Sequence, residues 1–193
     1  MLNNIMTEGE CSKLRSLIHH ANNIVLCCHV SPDGDAIGSV LGMAEVLKCM
    51  GKEPVMVVPD QFPDYLQWLP NTEKIVRYDK RSDYVDMVLK IADLIDHHLN
   101  PSIACQVCVS HPNMSSTSEL VFRVAWQLGL FERLGRHFAT AVYCGMMTDT
   151  GGFTFNSNSP ETFYIISQLL TKHINKDKIY RNVYHNYSES RLR

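Results

Sequence analysis

Short continuous apolar runs alternate along this chain with longer stretches in which apolar residues recur at helical spacing. The runs predict strands, because uninterrupted apolar segments of this length are typical of strands buried on both faces. These predicted strands cover 24–28, 54–58, 75–78 and 107–110. The helical stretches cover 36–50, 81–92, 116–128, 132–147, 160–172 and 177–187. Such alternation predicts an α/β fold with a mostly parallel sheet and helices on both faces.

Capping residues set the expected ends of several helices. Thr7 and Glu10 have the spacing of a capping box, which predicts a first helix running to about Asn22. Gly51 is expected to close the helix over 36–50 in the left-handed conformation, and Gly129 to end the helix over 116–128.

The turn after the first predicted strand concentrates polar side chains that suit a metal ion. His29, Asp33 and Asp35 follow the apolar run 24–28. In open α/β sheets, ligands bind at the carboxyl ends of the strands. Asp33 and Asp35 are two residues apart, so both carboxylates can face one side of an extended turn that His29 also reaches. Imidazole and carboxylate donors together suit Mn²⁺, Zn²⁺ or Fe²⁺.

Two further clusters repeat this chemistry. Asp96, His97 and His98 directly follow an apolar pair, and Asp149 lies in the stretch 145–153, which also follows an apolar segment. Any one of these residues is more often a turn former or a satisfied polar group than a ligand. Three such clusters in one chain are far less often accidental than one.

These motifs carry a resemblance to a known family. The chain resembles the DHH phosphoesterases, and most of all their branch of small bacterial oligoribonucleases that also act on 3′,5′-bisphosphorylated adenosine. The matching segments are 29–39, 96–101, 115–121 and 146–153, and the resemblance extends from about residue 10 to the end. It implies two Mn²⁺ ions, with Mg²⁺ or Co²⁺ as alternatives, that activate a water to attack a phosphate ester.

The resemblance also implies a set of metal ligands. His29 and Asp33 would hold one metal ion, and Asp35, His97 and Asp149 would hold the other. On this basis Asp35→Ala or Asp149→Ala is expected to abolish turnover while leaving the fold intact.

Other residues of the matching segments are candidates for catalysis and substrate binding. Asp96 and His98 would orient the ligands or contact the phosphate or the leaving group. Gly151 and Gly152 would let backbone N–H groups approach an anion, although they also fit an ordinary turn.

The helix that begins near Ser116 leaves two alternatives open. Ser116 is first of all a helix cap paired with Glu119, and in the second interpretation it helps to bind a phosphate at the helix N-terminus. Arg123 contacts a substrate phosphate or forms a surface ion pair. Phe153 and Phe155 either stack a base or belong to the core.

Two departures from the family pattern are expected to matter. The family has a further aspartate that bridges the two metals, and no position of this chain fits it. Residues 90–95 run straight into Asp96, whereas two parallel strands need a crossover of a dozen or more residues. We therefore expect a segment to be absent between Ile95 and Asp96.

The second departure concerns the C-terminus. The family's smaller C-terminal substrate-binding domain has no counterpart in this chain, so residues 1–193 are expected to form the catalytic domain alone.

The composition of the chain indicates which class of partner it binds and in which compartment it is located. The 193 residues are 45% hydrophobic, enough for one sizeable core, and the net charge of −2 lacks the basic footprint of proteins that bind duplex DNA. A short oligonucleotide or a nucleotide is therefore the expected partner. The chain has no apolar run of membrane-spanning length and no signal-peptide pattern, and its seven cysteines fit a reducing compartment. These features predict a cytoplasmic protein, and the assembly we consider is a homodimer.

Three functions remain open from the sequence. The favoured one is a metal-dependent phosphodiesterase or phosphatase acting on short oligonucleotides or a bisphosphorylated nucleotide. The second is an inorganic pyrophosphatase or polyphosphatase. The third is a degenerate domain that binds metal without catalysis.

Overall fold

The computed structural model of the protein describes residues 2–78, 92–96 and 105–185. Its helices are α1 (Glu8–His20), α2 (Gly34–Cys49), α3 (Thr117–Gln127), α4 (Arg136–Asp149), α5 (Pro160–Leu170) and α6 (Lys176–Tyr184). Its strands are β1 (Val25–Leu26), β2 (Val55–Val58), β3 (Val76–Arg77), β4 (Ala92–Asp96) and β5 (Cys105–Ser110). No helix among these residues is both long and apolar enough to span a membrane.

The described strands pair only in parallel. One sheet has the order β1-β2-β3, with Val25 opposite Val55 and Val57 opposite Val76. A second pair joins β4 to β5, with Asp96 opposite Ser110. Parallel strands connected through helices confirm the predicted α/β class.

Several predicted boundaries hold and others shift. The capping box of Thr7 and Glu10 is present, and Gly51 and Gly129 adopt positive φ values of 79° and 64°. The helix predicted over 132–147 is divided, because Gly135 is extended and separates a short 3-10 turn at Phe131–Arg133 from α4.

Nearly all of the helix predicted over 81–92 lies in a part of the chain that the structure does not describe. Residues 81–91 lie outside the described residues, and Ala92 begins β4. Ile95 and Asp96 are consecutive residues of this strand. The expected absence of a segment between them stays a prediction.

Helix α2 lies at the centre of the described core. Its residues from Gly34 to Leu47 are buried, apart from the partly exposed Glu45, and it packs against α3, α4, β1 and β2. Gly38 permits the closest approach, because a Cβ there would lie 2.7 Å from the carbonyl oxygen of Ala141 in α4. The glycine therefore allows close contact between these two helices.

Gly38→Ala is expected to destabilise the protein by about 1–3 kcal/mol, the usual cost of forcing an extra methyl group into a packed core. The new methyl would also meet the backbone of Gly145, 2.9 Å from its Cα. Urea unfolding followed by circular dichroism measures the effect. Gly9→Ala is the control, since a Cβ at that exposed position meets only Thr7 Oγ1, at 3.9 Å. Equal stability of the two variants would contradict this account of the interface between α2 and α4.

Candidate functional site

The turn between β1 and α2 places His29 and Asp33 side by side. Asp33 caps α2, and its Oδ1 accepts a hydrogen bond of 2.8 Å from the N–H of Ala36. His29 Nε2 lies 3.9 Å from the same oxygen, and both side chains are about half exposed. A carboxylate is favoured here because the N-terminal end of a helix carries partial positive charge.

The other ring nitrogen of His29 is held by the backbone. Nδ1 lies 2.8 Å from the carbonyl oxygen of Val30, and because a carbonyl only accepts, Nδ1 carries the proton. Nε2 is then the nitrogen that faces Asp33. Metal-binding histidines are usually held in this way, with the second ring nitrogen donating to a carbonyl or a carboxylate. His29 and Asp33 thus offer a nitrogen and an oxygen atom that could serve as two of the ligands of a metal ion.

Asp35 has a different environment from Asp33. It is buried, and its two carboxylate oxygens accept hydrogen bonds of 2.8 Å from the N–H groups of Thr117 and Ser118 at the start of α3. It therefore joins α2 to the N-terminus of α3. The expectation that Asp35→Ala would spare the fold is corrected, since the change would leave two buried N–H groups without this acceptor.

Local side chains satisfy further donors at the N-terminus of α3. Ser116 Oγ accepts from the N–H of Glu119 at 3.0 Å, and Glu119 Oε2 accepts from the N–H and the hydroxyl of Ser115. The capping interpretation of Ser116 is confirmed. Its alternative role in substrate binding does not agree with a side chain that is fully buried.

Arg123 is also buried, which corrects both roles predicted for it, contact with a substrate phosphate and a surface ion pair. Its guanidinium lies 2.6 Å from Glu119 Oε1 and 2.7 Å from Glu161 Oε2. The reason is helical spacing, because Arg123 is four residues after Glu119 on the inward face of α3 and α5 supplies the second carboxylate. Burial acts to raise the pKa of Glu161, but hydrogen bonds from Arg123 and from the N–H of Asn3, together with the charge of Arg123, lower this pKa overall.

Helix α4 brings the last matching segment to the first. Asp149 is the final residue of α4 and is exposed. Its neighbour Thr148 packs against Gly34, where a Cβ would lie 2.6 Å from Thr148 Cγ2. One turn earlier, a Cβ on Gly145 would lie 3.2 Å from Asp35 Oδ1. The segments around Asp33 and Asp149 therefore meet at one end of the contact between α2 and α4.

Gly151 and Gly152 do not form the predicted anion-binding turn. Both have positive φ values, 56° and 73°, and both N–H groups donate back to α4, to the carbonyls of Thr148 and Met147. These bonds cap the C-terminal end of the helix, which carries partial negative charge and disfavours an anion.

A cleft beside the first motif was not predicted from the sequence. Asp60 Oδ2 accepts a hydrogen bond of 2.7 Å from the N–H of Ser31, a residue with a φ of 51°. Ser31, Asp60 and Phe62 are among the residues that line an open cleft of about 350 Å³. Asp60 follows β2 just as the first motif follows β1, so both lie at the same edge of the sheet. This position after a strand is the sequence signal that could have identified Asp60 as a candidate site residue.

The described residues supply part of a metal site. No group of three or more His, Cys, Asp and Glu side chains stands ready to hold a metal ion within residues 2–78, 92–96 and 105–185. His97 and His98 lie outside the described residues, and Asp96 ends β4. Cys28, next to His29, is a thiol at neutral pH, because burial raises its pKa to about 12. In the described part, His29 and Asp33 fit a divalent ion by their donor chemistry.

Comparison with known proteins gives a consistent result. The DHH family, N-terminal domain, matches residues 23–146. A bifunctional oligoribonuclease and PAP phosphatase NrnA of Thermus thermophilus is 32% identical over 164 residues, covering 76% of this chain and 49% of that protein. The protein of the same name from Mycoplasma pneumoniae is 25% identical, covering 96% of this chain and 64% of that protein.

A solved structure matches more closely. The crystal structure of an exopolyphosphatase-related protein from Bacteroides fragilis superposes with a TM-score of 0.92 and 41% identity, covering 99% of this chain and 64% of that one. The chain thus spans about half to two thirds of the length of these relatives.

Proposed function

This chain belongs to the DHH family, and we propose that it is a metal-dependent phosphoesterase that hydrolyses short oligonucleotides, 3′,5′-bisphosphorylated adenosine, or both. Relatives named oligoribonuclease and PAP phosphatase support the substrate class. A net charge of −2 is compatible with a short substrate held mainly by metal ions.

One tertiary contact carries the proposal. Gly34 lies between the two aspartates of the first motif, and it packs against Thr148, the neighbour of Asp149. Residues far apart in the sequence are thereby brought to one end of α2. Carboxylate and imidazole groups that converge at such an edge can bind divalent ions and a phosphate ester between them.

We assign the metals to the residues named above. His29 and Asp33 would hold one Mn²⁺, and Asp149 with His97 and Asp35 would hold the second, with Mg²⁺ or Co²⁺ as alternatives. A bound divalent ion supplies Lewis acidity toward a phosphate oxygen. The carbonyl of Val30 keeps the proton on His29 Nδ1, so Nε2 is available as a donor atom. Asp96 and His98 remain the candidates for contact with the phosphate or the leaving group.

Hydrolysis assays with defined substrates test the proposal. We expect this chain to release mononucleotides from a dinucleotide, and adenosine monophosphate from 3′,5′-bisphosphorylated adenosine, when Mn²⁺ is present. Excess EDTA is expected to stop both reactions, because each depends on the metal. Release of phosphate from inorganic pyrophosphate alone, with neither nucleotide cleaved, would overturn the proposed substrate.

Two alternatives have specific support. The close structural neighbour is described as exopolyphosphatase-related, which favours a pyrophosphatase or polyphosphatase. No position of this sequence fits the aspartate that bridges the two metals in the family, which favours a metal-binding domain without catalysis. Mn²⁺ binding without hydrolysis of any phosphate substrate would select that second alternative.

The remaining predictions concern location and assembly. A cytoplasmic location is proposed on the grounds given by the sequence, and a homodimer is the assembly that we propose to test. Sedimentation of the purified chain would test the dimer directly.

A further inference from the structure

The two most exposed large apolar side chains among the described residues both lie in the loops of the candidate site. Phe155 is 71% exposed and Val30 is 70% exposed, whereas the next value, for Phe163, is 53%. Val30 directly follows His29, and Phe155 comes six residues after Asp149. Neither side chain is of use to an inorganic phosphate, which offers no apolar surface. Their position instead suits a ligand with an apolar face.

The turn that carries Phe155 is held by a dense set of hydrogen bonds. Thr150 is fully buried, and its hydroxyl donates to the carbonyl of Met146 at 2.7 Å and accepts from the N–H of Phe153 at 3.0 Å. The N–H of Phe155 donates to the carbonyl of Thr150 at 2.9 Å, and the hydroxyl of Ser157 donates to that of Phe153 at 2.8 Å. The exposed ring is therefore mounted on an ordered turn.

The backbone of this turn directs the two phenylalanines differently. Phe153 and Asn156 have φ values of 67° and 47°, in the left-handed region that side chains other than glycine seldom adopt. Phe153 packs inward on Tyr143, with the ring centroids 5.4 Å apart. Phe155 remains in solvent. Of the two interpretations open from the sequence, the core applies to Phe153 alone.

The ring of Phe155 lies beside the residues that follow Asp149. A Cβ built on Gly151 would lie 2.9 Å from Phe155 Cδ2, and one on Gly152 would lie 3.7 Å from Tyr180 Cε2. Tyr180 is 46% exposed. Two solvent-facing aromatic rings thus border the turn directly after the predicted metal ligand.

We propose that Phe155 is a specificity-determining residue that stacks on a base of the substrate, with Val30, next to His29, as a second apolar contact. The inference rests on the proposed function and narrows it, because such a site selects nucleotides over inorganic polyphosphates. Stacking on an aromatic ring is tolerant of base identity, since every base has a π face. The site therefore prefers nucleotides without a strict sequence preference.

Kinetics with two substrates measure this selectivity. Phe155→Ala is expected to raise KM for a dinucleotide by about 5- to 150-fold, the range of one lost stacking contact, with a much smaller change in kcat. Hydrolysis of inorganic pyrophosphate, if present in the wild type, should not change. Phe155→Trp should retain the wild-type KM, and Phe163→Ala, an exposed phenylalanine of α5, is the matched control. An unchanged KM for the dinucleotide in Phe155→Ala would overturn the proposal.

A binding measurement tests the ring without any catalysis. In Phe155→Trp, added dinucleotide should quench tryptophan fluorescence to saturation, whereas inorganic pyrophosphate should not. The wild type supplies the background from Trp68 and Trp126, and Phe163→Trp is the control. Equal quenching by the dinucleotide in Phe155→Trp and Phe163→Trp would overturn the inference even if the protein is a phosphoesterase. Saturable quenching without hydrolysis would support base binding and count against the proposed activity. If Phe155→Ala converts a dimer to a monomer, the ring belongs to an interface between two copies of the chain. That result would also overturn the inference.

Discussion

Replacing Asp149 with alanine is expected to lower the rate of dinucleotide hydrolysis by more than about 100-fold and to leave the fold intact. Loss of a group that only supports a metal ligand typically costs about 10- to 100-fold, and loss of a ligand itself should cost more. Asp149 is exposed at the end of α4, so its removal opens no cavity in the core. Initial rates at saturating Mn²⁺ and the far-ultraviolet circular dichroism spectrum measure the two parts of this prediction.

Glu132→Ala is the matched control for the loss of a carboxylate. The side chain of Glu132 is 88% exposed and lies outside the motif loops, so this variant should hydrolyse dinucleotides like the wild type. Retention of most activity in Asp149→Ala would remove this residue from the metal site. A changed spectrum would show that Asp149 is structural.

Arg123→Met is expected to destabilise the protein by about 3–5 kcal/mol, the usual result of removing one partner from a buried ion pair. The variant leaves the carboxylate of Glu119, whose side chain is 2% exposed, without its cation. It also removes the link from α3 to Glu161 in α5 and to the carbonyl of Asn3. Urea unfolding at neutral pH measures the loss.

Two variants separate this effect from a general loss of packing. Lys176→Met breaks an exposed pair with Asp177 and should have a far smaller effect, since water screens such pairs. The triple variant Arg123→Met, Glu119→Gln, Glu161→Gln should recover part of the stability, because no buried charge is left unpaired. A triple variant as unstable as Arg123→Met would instead point to lost packing by the arginine side chain.

The same network predicts a defined response to acid. The pKa of Glu161 is lowered from its ordinary value of 4.5 in the folded protein, so its ionised form stabilises the fold above the unfolded pKa. That contribution is lost as the pH falls through the lowered pKa. The stability advantage of the wild type over Glu161→Gln should therefore be present at neutral pH and shrink below pH 4.5. An advantage that stays constant with pH would contradict the ion pair.

The structure changed the expectations for Asp35, Arg123 and the glycine pair, and for the first two the reason is a tertiary contact that local patterns do not reveal. Asp35 has the same residue type and the same turn as Asp33, yet only the approach of α3 makes it an acceptor for Thr117 and Ser118. Arg123 is buried because α5 brings Glu161 to it. Gly151 and Gly152 use their N–H groups to cap α4. Asp35 and Arg123 therefore find their partners on neighbouring helices, whereas the two glycines donate to the last turn of the helix that they follow.

The sequence by itself determined the fold class, the caps of the helices and the positions of the motifs. These depend on short-range effects, namely apolar periodicity, the hydrogen bonds of capping side chains such as Thr7, and the polar residues that follow β1. The tertiary structure alone decided which motif residues face solvent and which are buried. It packed Thr148 on Gly34, paired Arg123 with two carboxylates, and left Phe155 exposed. Burial and contacts between distant residues arise from helix packing, and helix packing depends on the whole chain.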